Sequence, residues 1–152
     1  MAFVEIDFHG EIFKHYALII AFLVLKMMFY VPWTAVTRIR RGAFANPEDI
    51  LPWIQDAKVT HNDEVVERIR RAHRNDLENI PFFMVIAWLY MMTGPSVDLA
   101  KTLFEVFAVC RYMHTMVYAL FPLPAAARSL AFMLAFLVMG YMTICVLVSC
   151  YV

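Results

Sequence analysis

Four stretches of the chain are predominantly apolar: Tyr16–Thr37, broken only by Lys26; Asn79–Thr93; Thr102–Phe121; and Ser129–Val152, which holds no charged residue. A helix needs about 20 residues, at 1.5 Å each, to cross a ~30 Å hydrocarbon layer. The second stretch is too short for that alone, so its helix has to begin in the polar segment before it, VERIRRAHRNDLEN. Asn62 and Asp63 are candidate N-caps for that helix, with acids in the first turn after them. TGPSVD, with Gly94 and Pro95, and FPLPAAAR, with Pro122 and Pro124, break the chain before and after the third stretch. The pattern predicts helices at about 13–41, 63–92, 97–121 and 125–150 and one sizeable loop, roughly Gly42–His61. Pro81 should bend the second helix. The fold expected is all-α: a single integral-membrane four-helix bundle over residues 1–152.

Composition strengthens the membrane reading. The chain is 62% hydrophobic, has four glycines and carries no net charge. A soluble helical bundle of this size would expose apolar patches that aggregate. Eight of the thirteen basic residues fall between Arg38 and Arg74, and none follows Arg128. The positive-inside rule therefore puts the long loop in the cytoplasm and both termini on the far side of the membrane. The first apolar stretch is long and lacks small-residue cleavage chemistry, so it is expected to remain as an anchor. Cys110, Cys145 and Cys150 lack pairing or metal-ligand spacing and read as packing residues. The dispersed histidines offer no metal site. Basic residues matched by acids at a membrane boundary do not suit nucleic acid.

Two polar stripes carry the candidate chemistry. Arg71, Arg74, Asn75 and Glu78 follow i, i+3, i+4, i+7, which is one helical face. Arg111, His114, Thr115 and Tyr118 repeat that spacing inside the third apolar stretch. Basic residues at a boundary often only snorkel to headgroups, but that does not account for an asparagine and a glutamate on the same stripe. An arginine within a span costs about 2.5–3.5 kcal/mol on insertion scales unless it is paired or faces a polar cavity. Asp76 or Glu78 is placed to neutralise Arg111, and Lys26 to pair with an acid across the bundle, so part of this polarity is open to a purely structural reading. Facing each other, the stripes suit a small zwitterionic peptide: arginines for carboxylates, a glutamate for an ammonium, an asparagine for an amide.

VERIRRAHRNDLENIPFF, preceded by RGAFANPEDI and followed by RYMHTMVYAL, resembles the signature of the membrane-associated proteins in eicosanoid and glutathione metabolism. The resemblance runs from about Lys26 to Phe132 and is strongest to the branch holding microsomal glutathione transferases and a prostaglandin E synthase. It implies a homotrimer in the endoplasmic reticulum, or also the mitochondrial outer membrane, with glutathione bound between subunits near the cytoplasmic side. By position, it implies glutathione contacts for Arg38, Arg70, Arg71, His73, Arg74, Asn75, Glu78, His114 and Tyr118. It implies catalytic roles for Arg128 and Ser129, beside the glutathione sulfur, and for Asp49. The expected activity is conjugation of glutathione to lipophilic electrophiles that arrive through membrane lipid, together with reduction of lipid peroxides.

The markers are mixed. Phe132 stands where the prostaglandin synthase branch carries a tyrosine, and Ile50 where the mammalian transferase carries a reactive cysteine. A glutathione-dependent prostaglandin E synthase is therefore the alternative enzyme. A non-catalytic lipid-binding adaptor is the alternative of another class, and a small channel or transporter draws only on the intramembrane charges.

Overall fold

The computed structural model describes residues 4–151. Helix α1 (Glu11–Arg41) is 31 residues long. It ends at Gly42, whose φ of 58° places it in the left-handed region that glycine enters without steric cost, with its N–H turned back on the last carbonyls. The following loop is tied together by a two-residue parallel ladder, β1 (Ala43–Phe44) against β2 (Lys58–Val59), so the fold is not wholly helical. Helix α2 (Glu64–Leu77) starts at the expected cap: Asp63 Oδ1 accepts from the Val65 and Val66 amides at 3.1 and 3.0 Å. The same carboxylate holds Arg41 Nε at 2.7 Å and joins the end of α1 to the start of α2. Partial desolvation pulls the Asp63 carboxyl up, but hydrogen bonds from Arg41 and the Val66 and Val65 amides outweigh it and hold it below the usual aspartate range.

One continuous helix is expected over 63–92; the structure has two, α2 and α3 (Ile80–Met91). Pro81 lacks the N–H that would reach back to Leu77, so the ladder breaks just before it. The Asn79 amide N–H turns to Asp76 O at 3.1 Å, and its side-chain Nδ2 takes up the Asn75 carbonyl at 2.7 Å. Helix α4 (Val97–Thr115) also ends earlier than expected as an α-helix. It widens into a π turn, Met116–Leu120, in which Phe121 N bonds Met116 O at 2.8 Å. Helix α5 (Ala125–Tyr151) completes the bundle.

Helix α4 packs along α1 and α5, α3 packs on α5, and α2 leans on α1. The core is built from Leu23, Ile80, Phe83, Phe104, Phe107, Ala135 and Met142, with the Phe83 and Phe107 rings stacked at 3.8 Å. The outer faces are apolar too: Leu25, Met28, Phe29 and Val31 of α1 and Leu130, Phe136, Ile144 and Leu147 of α5 are all exposed. Helices α1 and α5 are long and apolar enough to cross a membrane. Helix α3 is too short to do so without α2, and α4 carries Asp98, Lys101, Glu105 and Arg111.

Candidate functional site

The deepest polar feature sits where α1, α2 and α4 meet. Asp76 and Arg111 are fully buried, and Lys26 is nearly so. Asp76 Oδ1 accepts from Arg111 Nε at 2.9 Å and from Nη2. Its Oδ2 accepts from Lys26 Nζ and the Tyr30 hydroxyl, both at 2.7 Å. Lys26 also donates to the Arg111 carbonyl at 2.6 Å, and Tyr30 shares its hydroxyl with Thr115 at 2.7 Å. The acid that neutralises Arg111 is thus Asp76, and the acid paired with Lys26 is the same one. Sequence reasoning misses Tyr30 as a member; its position four residues after Lys26, on the same face of α1, is the signal for it.

Above this network the first predicted stripe faces His114 and Tyr118 of the second, whose other members, Arg111 and Thr115, belong to the network itself. Arg71, Arg74, Asn75 and Glu78 of α2 and its cap, with His114 and Tyr118 of α4 and the π turn, line a hollow of about 170 Å³. Arg71 Nε donates to the Tyr118 hydroxyl at 3.2 Å across it. A second hollow of about 300 Å³ adjoins the first through Asn75 and His114 and is bounded by Arg128, Ser129, Phe132 and Met133 of α5. The π turn sets up the junction: Tyr118 stacks on His114 at 5.6 Å, and the Arg128 guanidinium lies over the Tyr118 ring at 4.9 Å. Along its α5 side the lining passes from cationic and hydroxylic, at Arg128 and Ser129, to apolar one turn on, at Phe132 and Met133. The sequence does not single out Phe132 and Met133 as that apolar part.

Four predicted site residues lie outside both hollows. Arg70 pairs with Glu67 at 2.6 Å on the exposed side of α2. His73 is turned toward α1, stacked on Tyr30 at 4.8 Å. Arg38 donates to the Ala43 carbonyl at 3.0 Å, and Asp49 accepts from Asn46 Nδ2 at 2.9 Å in the exposed loop.

A stretch this distinctive is shared with known proteins. The profile of the MAPEG family matches residues 16–148. The chain belongs to the MAPEG family. Microsomal glutathione S-transferase 1 of Sus scrofa is 42% identical over 130 residues, covering 84% of this chain and 83% of that protein. The same-named protein of Mus musculus is 44% identical over 127 residues, covering 82% and 79%. Prostaglandin E synthase of Bos taurus is 40% identical over 127 residues, covering 84% and 82%. As a MAPEG protein with two helices fit to span a bilayer, the chain is a membrane protein.

Proposed function

We propose that this protein is a membrane-bound glutathione transferase that conjugates glutathione to lipophilic electrophiles and also reduces lipid peroxides. The observation that carries it is the pair of adjoining hollows, in a chain similar to proteins named microsomal glutathione S-transferase 1. Arg71 and Arg74 suit the carboxylates of the tripeptide, Glu78 its ammonium, and Asn75, His114 and Tyr118 its amides. The sulfur then falls to the second hollow, beside Arg128 and Ser129.

The chemistry turns on the thiolate. A free thiol titrates near pH 8.5, and only the anion attacks. A guanidinium beside the sulfur favours the anion, each tenfold gain in ionisation being about 1.36 kcal/mol. Arg128, braced on the Tyr118 ring, supplies that charge, and Ser129 donates a hydrogen bond. Attack on an aryl halide forms the carbon–sulfur bond as halide departs. Attack on a hydroperoxide breaks the oxygen–oxygen bond, releases the alcohol, and leaves an oxidised sulfur that a second glutathione converts to the disulfide. Phe132 and Met133 form the apolar side from which a lipid-soluble substrate approaches.

We place the site in a homotrimer, in the endoplasmic reticulum membrane or also the mitochondrial outer membrane, with the long loop cytoplasmic and both termini lumenal. Arg38, Arg70 and His73, which lie outside their own chain's hollows, are then offered to glutathione at a subunit boundary, and Asp49 to the reaction there. The likeness to prostaglandin E synthases favours a second reading as a glutathione-dependent isomerase of a prostaglandin endoperoxide. Purified protein tested with glutathione against an aryl halide, a lipid hydroperoxide and a prostaglandin endoperoxide separates the two. Turnover of the first two is expected. Turnover of the endoperoxide alone supports the isomerase, and turnover of none refutes both.

A further inference from the structure

The floor beneath the first hollow carries a charge that the chemistry above does not use. Lys26 and Arg111 share a single carboxylate, Asp76, and among the described residues neither forms an ion pair with any other acid. A network with two cations and one anion keeps a surplus positive charge. In a bundle interior that charge is weakly screened and acts over a distance that water would not allow.

Three features connect this charge to the hollow. Arg111 Nη2 donates to Asn75 Oδ1 at 2.6 Å. A guanidinium can only donate, so this bond fixes which end of the Asn75 amide faces Arg111 and leaves Nδ2 as a donor. Asn75 lines both hollows. Arg111 Nη1 is buried with no partner among the described residues. His114 Nδ1 is likewise buried and unpartnered, and His114, only 5% exposed, lines both hollows as well. Buried polar groups in folded proteins are almost always hydrogen-bonded, so the His114 orphan on the lining of both hollows marks them as a place where a ligand completes the bonding, with the Arg111 orphan buried one turn before it.

We infer that the Lys26–Asp76–Arg111 network, acting through Asn75, is an electrostatic floor that selects an anionic ligand in the glutathione site. Asp76 anchors both cations and cancels one of them. Arg111 sets Asn75 as a donor. Lys26 is a positioning residue in a specific sense: it never touches the ligand, and its ammonium keeps the floor positive. The sequence offers Lys26 only as the partner of an acid; the count of two cations on one carboxylate is what gives it this second role.

The inference takes glutathione binding as given, and the test separates the two. Lys26→Met removes the charge while keeping a flexible chain of similar length. Binding of glutathione, and of its diethyl ester, whose carboxylates are uncharged, is measured calorimetrically in detergent for wild type, Lys26→Met and Lys26→Arg. The expected result is a roughly threefold to tenfold loss of affinity for glutathione in Lys26→Met. Little loss is expected for the diester, and Lys26→Arg should recover most of the wild-type value. Equal losses for both ligands would reduce Lys26 to a packing role, and no loss for either would remove the floor altogether. If Lys26→Met does not fold, the same ligand pair applied to Lys26→Gln distinguishes the same outcomes. A wild type that binds no glutathione overturns the proposed function instead.

Discussion

Replacing Asp76 with alanine would leave Lys26 and Arg111 buried as two unpaired cations, and losing one partner of a buried ion pair typically costs about 3–5 kcal/mol. Asp76→Ala is therefore expected to lose most of the folded protein, read from the loss of the monodisperse peak in size-exclusion chromatography and of helical signal on mild heating. Asp63 shows a gentler dependence. Its folded-state carboxyl is held below the usual aspartate range, so its contribution is complete at neutral pH and is lost as the pH falls through that lowered value. Asp63→Ala should lower stability by about 1 kcal/mol at pH 7, as expected for a lost N-cap, and the gap from wild type should close in acid. Thermal midpoints of both proteins across that range check it; a gap that widens in acid would contradict it. At this scale the sequence is informative about residue types and poor on pairing. Arg111 needs an acid, yet Asp76 and Glu78 are equally plausible until the rotation of α2 places Asp76 inward and leaves Glu78 exposed on the rim.

Helices α2 and α3 are interrupted at Glu78 and Asn79. Pro81 opens the ladder, but Asn79 makes the opening tolerable by holding the Asn75 carbonyl with its side chain. Asn79→Ala leaves that carbonyl without this donor and should destabilise by about 1–2 kcal/mol, whereas Pro81→Ala, which restores a donor, should cost less. Chemical denaturation of the two variants in detergent decides the order, and the reverse ranking would move the cause of the break from Asn79 to packing. The proline is readable as a bend, and the stripe periodicities correctly pair α2 with α4. The π turn is not readable: nothing in MVYAL distinguishes it from the α-helix before it, and the contacts of Tyr118 with His114 and Arg128 that accompany it belong to the folded bundle.

For the molecule as a whole, four hydrophobic stretches translate into four bundle columns, since run length and breaks in the chain dictate helices directly. Assembly is a different matter. The apolar outer faces of α1 and α5 suit lipid and neighbouring subunits equally, so one chain's hydrophobicity cannot say which covers them. Native mass spectrometry of the detergent-solubilised protein should give three times the 17.7 kDa chain mass; a monomer with full activity would contradict the homotrimer. Both hollows lie at the end of the bundle where the arginines gather, away from the acidic amino-terminal segment with Glu5, Asp7 and Glu11. The central claim is that this end ionises a bound thiol, and ultraviolet difference absorbance of glutathione bound to wild type and Arg128→Ala at neutral pH tests it most directly. A strong thiolate band in wild type, with a much weaker one in a variant that still binds glutathione, is the predicted result. Equal bands in the two proteins would contradict it.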